Sequence, residues 1–172
     1  MIQRWELVGV FVIFLVGSAY HFVYDWLGGW VVLAAIAPVN ESVWEHLKMA
    51  IWPAIFYALV EYRVVLNRVK GFWMAKLVSI CMIPVVIVVL FYLYTGIVGH
   101  HVLYVDIFIF FVAIAIGQYL SYRLIVGELF EDRLNNLGII GLVFVVGVFA
   151  VWTFIPPELP VFLDPTTGGY GR

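Results

Sequence analysis

At 172 residues the chain fits one domain. With 65% hydrophobic against 12% charged residues and a mean hydropathy of +1.08, that domain belongs in a bilayer and not in water. A formal net charge of −2 without a lysine- or arginine-rich tract excludes a nucleic-acid patch, and a lone cysteine, Cys81, excludes an internal disulfide and any cysteine metal motif.

The first apolar run spans Leu7–Tyr24. Arg4, the run that follows and Gly17-Ser18-Ala19 imitate a signal peptide, but Glu6 cancels the weak basic start, so the expectation is a retained helix. Val31–Ala37 is too short to cross a hydrocarbon core of roughly 30 Å and reads as re-entrant or interfacial. Pro38 interrupts it, and Ser42-x-x-Glu45 is a capping-box pattern that starts a second span, Leu47–Leu66, bent at Pro53. After the basic turn Asn67–Gly71, spans three to five follow at Phe72–Tyr94, Leu103–Ile125 and Leu137–Ile155. The fold expected is therefore all-α: a polytopic membrane protein of five transmembrane helices plus a short segment before helix 2. Residues 1–155 form the single helical domain, and 156–172 form an extracytoplasmic tail rich in turn signals.

Lysine and arginine placement orients the bundle. With the N-terminus cytoplasmic, Arg4, Arg63, Arg68, Lys70, Lys76, Arg123 and Arg133 lie inside, and Lys48 and Arg172 outside. All four histidines then fall at the outer face, beside Asn40, Glu41, Glu45 and Asp106. Glu61 and Arg63 read as anchors at the inner interface, and Gln118 as a hydrogen bond between helices. Aromatic residues, 18% of the chain, form interfacial belts. Ala113-x-x-x-Gly117 and Gly138-x-x-Gly141 permit close helix approach.

The densest polar stretch is Pro38-Val39-Asn40-Glu41-Ser42-Val43-Trp44-Glu45-His46-Leu47-Lys48. At about 100° per residue Glu41, Glu45 and Lys48 share a stripe and His46 points away from it. The candidate ligand-binding residues are His21, Asn40, Glu41, Glu45, His46 and Asp106. A divalent metal is the cofactor this chemistry suggests, held by histidine and carboxylate from the set His21, Glu45, His100 and His101, although no H-x-x-x-H or H-E-x-x-H spacing occurs. The competing account is structural: Ser42 and Glu45 cap the helix, Glu41 favours its positive end, and Lys48 pairs internally.

Together with His21-Phe22-Val23-Tyr24 and the closing Tyr170-Gly171, this block resembles a family of small prokaryotic multi-pass membrane proteins of unknown function, over nearly the whole chain. The Asn-Glu-Ser-x-Trp-Glu-His-Leu-Lys motif is its specific part. The resemblance implies no activity, substrate or cofactor.

Three functions compete. The first is an outer vestibule that binds or transports a cation, a proton or a small polar ligand. The second is a metal-dependent membrane-embedded hydrolase. The third is a structural subunit, with the lipid bilayer and either a second copy or another membrane protein as partners. Residue types alone leave open whether the chain is an enzyme.

Overall fold

The computed structural model describes residues 1–66 and 69–172, with the backbone alone at residues 65 and 66. Among the described residues seven α-helices follow one another: α1 Ile2–Tyr20, α2 Val23–Trp26, α3 Val31–Ala34, α4 Val43–Glu61, α5 Phe72–Val98, α6 Leu103–Val126 and α7 Asn135–Phe154. A π turn, Tyr62–Leu66, extends α4, and single 3-10 turns lie at Asp132–Leu134 and Pro160–Phe162. Of the expected basic turn, Asn67 and Arg68 lie outside the described residues.

Among the described residues four stretches are long and apolar enough to cross a membrane: Ile2–Tyr20, Phe72–Val98, Leu103–Val126 and Asp132–Phe154. They carry apolar side chains outward, among them Leu7, Phe11, Leu15, Val89, Phe108 and Phe144, as contact with lipid requires. The remaining expected span, α4, is interrupted by Glu45, Lys48 and Glu61. Its position explains why. Eleven of its 19 residues are buried, against six of 27 in α5. It packs between α1 and α5, while α6 closes against α1 and α5, and α7 against α5. A helix wrapped by its neighbours needs no continuous apolar surface, so its hydropathy falls while its burial rises.

Two close approaches set this packing. Pro53 leaves the Met49 carbonyl without its usual helical donor. That carbonyl faces Gly17 of α1, where an added Cβ would sit 2.4 Å from the oxygen. Gly138 of α7 lies against the backbone of Trp73 and Met74, 2.4 Å from where its Cβ would be, and Gly117 of α6 meets Ile83 of α5. The small residues on α6 and α7 thus seat both helices on α5.

The start of α5 has no cap of its own. Gly71 turns the chain at φ +62°, and its N–H donates to Asp132 Oδ1 at 3.2 Å while the Trp73 N–H donates to Asn135 Oδ1 at 2.9 Å. Orphan donors at a helix start are satisfied there by Asp132 ahead of α7 and by Asn135 at its start, and the Asp132 carboxylate also suits the positive helix end.

The segment after α7 folds back. Leu163 and Tyr170 form an isolated antiparallel bridge, and Phe162 packs against Trp44 and Trp152. The Arg172 N–H donates to the Thr153 carbonyl at 3.0 Å, capping α7.

Candidate functional site

The Asn40–Lys48 block divides into an inward and an outward half. Ser42 is the N-cap of α4, its backbone extended and its Oγ accepting the Glu45 N–H at 3.3 Å. The reciprocal half of the expected capping box is replaced. Asn40 Oδ1, not Glu45, accepts the Ser42 N–H at 2.9 Å, while Asn40 Nδ2 donates to the Gly171 carbonyl at 2.9 Å. Asn40 therefore fastens the tail to the head of α4.

Glu45 and Lys48 point inward and are fully buried. Lys48 Nζ donates to Glu45 Oε2 at 2.7 Å and to the Ala34 and Ala37 carbonyls at 2.8 and 3.3 Å, using all three ammonium protons. Glu45 Oε2 also accepts the Val39 N–H at 3.0 Å. Thr153 Oγ1 lies 3.0 Å from both Glu45 Oε1 and the Phe149 carbonyl, and its single proton favours the charged acceptor. This pair clamps the one-turn helix α3 and the Pro38 bend onto α4. Beside it Trp44 stacks on Phe149, ring centroids 4.2 Å apart and planes 12° from parallel.

Glu41 departs from the expected stripe. Residue 41 precedes the N-cap, so helical geometry does not govern it, and the Asn40 turn swings its carboxylate away from Glu45 towards His46. Glu41 Oε2 lies 3.5 Å from His46 Nε2, and Glu41 Oε1 lies 3.6 Å from His21 Nε2. The two imidazole centroids are 5.1 Å apart. His46 Nδ1 sits 2.8 Å from the Ser42 carbonyl, which can only accept. That bond places the His46 proton on Nδ1 and leaves the Nε2 lone pair facing Glu41. Among the described residues, His21, Glu41 and His46 are the one group of three such side chains whose ligand atoms all lie within 4.8 Å of one another.

The other sequence candidates lie elsewhere. Glu45 is consumed by the Lys48 clamp. His101 Nδ1 approaches Asp106 Oδ2 at 3.2 Å, and Asp106 also accepts the Tyr94 hydroxyl. The Val102 N–H donates to the Tyr94 oxygen at 2.9 Å, so these residues close the α5–α6 connection, with His100 exposed beside them. The grouping His21, Glu45, His100 and His101 is not assembled; His21 meets Glu41 and His46 instead, because the loop at residue 41 turns outward.

A second polar cluster, at the opposite end of the bundle, had no counterpart among the sequence candidates. Glu6 of α1, Glu61 of α4 and Lys76 of α5 are all buried, with Lys76 Nζ 2.9 Å from Glu6 Oε1 and 2.5 Å from Glu61 Oε2. Ser121 Oγ of α6 donates to Glu6 Oε1 at 2.6 Å, and Gln118 makes the expected link between helices, 3.4 Å from the Glu6 carbonyl. Three charges inside apolar runs should find one another within a bundle, and that was the available signal.

A family described as "Family of unknown function (DUF6512)" matches the chain over residues 1–172. Neither the curated proteins nor the solved structures give a match.

Proposed function

Because the chain belongs to this family of unknown function, we propose its role from its own geometry: a multi-pass membrane protein that binds a divalent metal ion through His21, Glu41 and His46. The observation that carries this reading is the spacing of the ligand atoms. Zinc ligands at about 2.0–2.2 Å in a tetrahedron stand about 3.4 Å apart. Glu41 Oε2 lies 3.5 Å from His46 Nε2 and Glu41 Oε1 lies 3.6 Å from His21 Nε2, and each of the three side chains offers a ligand atom within 4.8 Å of the others. The Ser42 carbonyl supplies the outer-sphere contact that orients a metal-binding imidazole. Oxygen and two imidazoles suit zinc and its first-row neighbours better than calcium or magnesium.

The bilayer reading takes α4 as a fifth span enclosed by the four apolar ones, with the N-terminus cytoplasmic. Exposed Arg4, Arg63, Lys70, Arg123 and Arg133 gather at the end that holds the start of α1. At the other end Lys48 is buried and neutralised, and Arg172 is the exposed cation. The positive-inside rule then puts the histidine site on the outer face. A hydrolytic use is the second reading, since three protein ligands leave a fourth position for water and Glu41 is 47% exposed.

Zinc titration of metal-stripped, detergent-purified protein tests the site. Calorimetry should show one equivalent bound by the wild type and by His101→Ala, and none by His46→Ala or Glu41→Ala. Folded wild-type protein that takes up no zinc, or a His46→Ala variant that binds as tightly as wild type, overturns the proposal.

A further inference from the structure

The Glu6–Glu61–Lys76 cluster is miscounted as it stands. Two carboxylates and one ammonium are buried to between 0 and 3% exposure, and among the described residues Lys76 is the one cation paired with either acid. The hydrogen bonds are short as well. Lys76 Nζ and Ser121 Oγ both serve Glu6 Oε1, while Glu6 Oε2 and both Glu61 oxygens are buried without a hydrogen-bond donor, Lys76 meeting Glu61 Oε2 as an ion pair. The two carboxyl groups nevertheless flank a single ammonium, Lys76 Nζ standing 2.9 Å from Glu6 Oε1 and 2.5 Å from Glu61 Oε2. Carboxylates only accept, so two of them buried against one ammonium repel each other unless one carries a proton, which turns it into an O–H donor. Like charges that share a dry site resolve in this way: one of them stays protonated.

We propose that Glu6 and Glu61 together hold one proton, making this cluster a proton-binding site with Lys76 as its fixed counter-charge. The proton belongs to the pair and not to either residue. It brings the net charge of the cluster to zero and supplies the missing donor in a single step. A metal cation is a poor substitute, since the Lys76 ammonium already stands against both carboxylates. The other polar side chains facing the pair are Tyr57 of α4, whose hydroxyl donates to the Trp5 carbonyl, and Gln118 and Ser121 of α6. None of them supplies a second charge. The site is independent of the histidine cluster and draws on four helices at the opposite end of the bundle.

Infrared spectroscopy of the purified wild type, Glu6→Gln, Glu61→Gln and Glu45→Gln tests this. The wild type at neutral pH should show the carbonyl stretch of one protonated carboxylic acid, shifted in heavy water and lost on alkaline titration. Either glutamine at position 6 or 61 should abolish it, because the amide donates to the remaining carboxylate, which then stays ionised beside Lys76. Glu45→Gln should leave it in place. A folded wild type without the band overturns the proposal, and so does a band that survives both Glu6→Gln and Glu61→Gln. Should those variants fail to fold, the wild-type titration decides alone: a band present at neutral pH and absent at alkaline pH supports the site, and any other result rejects it.

Discussion

The two buried carboxylate–lysine clusters use the same residue types at the same depth and reach opposite states. At the tail end, Glu45 and Lys48 match one charge to one, and every ammonium proton has an acceptor. At the other end, Glu6 and Glu61 share one lysine, and three of their four oxygens stand without a hydrogen-bond donor. Burial alone therefore says little about role. A buried pair whose count closes is a structural clamp, whereas a cluster with one carboxylate too many has chemistry left to do.

Glutamine substitution at the two positions is the strongest way to break the comparison. Glu45→Gln strands the Lys48 ammonium and should cost about 3–5 kcal/mol. Glu61→Gln keeps the shape of a protonated acid and should change stability by less than about 1 kcal/mol. Unfolding of detergent-solubilised protein in a denaturant series measures both, and equal losses would erase the distinction. A smaller effect tests the clamp from its far side. Thr153→Val removes the hydroxyl that serves Glu45 Oε1 and should cost about 1.5–3 kcal/mol by the same assay, without altering zinc uptake.

Asp164 supplies the mildest test, as a fourth buried carboxylate and one that uses no cation. Burial pushes its pKa up, but hydrogen bonds from the Thr166 and Thr167 side chains and backbones outweigh burial and hold it below the ordinary value of 3.8. A depressed carboxylate stabilises the fold fully above its unfolded value and loses that contribution as pH falls through the lower folded one. The 156–172 segment should thus stay protease-resistant down to about pH 4 and open below it. Opening that begins near neutral pH would show the tail to be held by something other than Asp164.

The apolar runs and the Pro38–Ser42 break were legible in the sequence, because helix length and capping are local. The centrality of α4 was not, since hydropathy reports apolarity and α4 is polar where its neighbours shield it. Glu41 misled for a related reason: a helical projection assumes a helix, and residue 41 stands one place before the cap. His46 stood among the ligand-binding candidates, but its approach to Glu41 follows from the Asn40 turn and not from the helical stripe. Glu6, Glu61 and Lys76 passed as end-of-helix charges because each is unremarkable on its own helix, and only the packing of α1, α4, α5 and α6 makes them one group.

The same two clusters also differ in when they can exist during synthesis. Lys48 finds its partners within 14 residues of itself, at Ala34, Ala37 and Glu45, and the Val39 N–H that Glu45 accepts is six residues from it. The Lys48 charge can therefore be neutralised before the helices that follow α4 are made. Asn40 must wait for Gly171, 131 residues later, which at 5–20 residues per second is a delay of roughly 7 to 26 s. Glu6 waits 70 residues for Lys76 and 115 for Ser121. During that interval its carboxylate lacks the ammonium and the hydroxyl that serve it in the finished bundle.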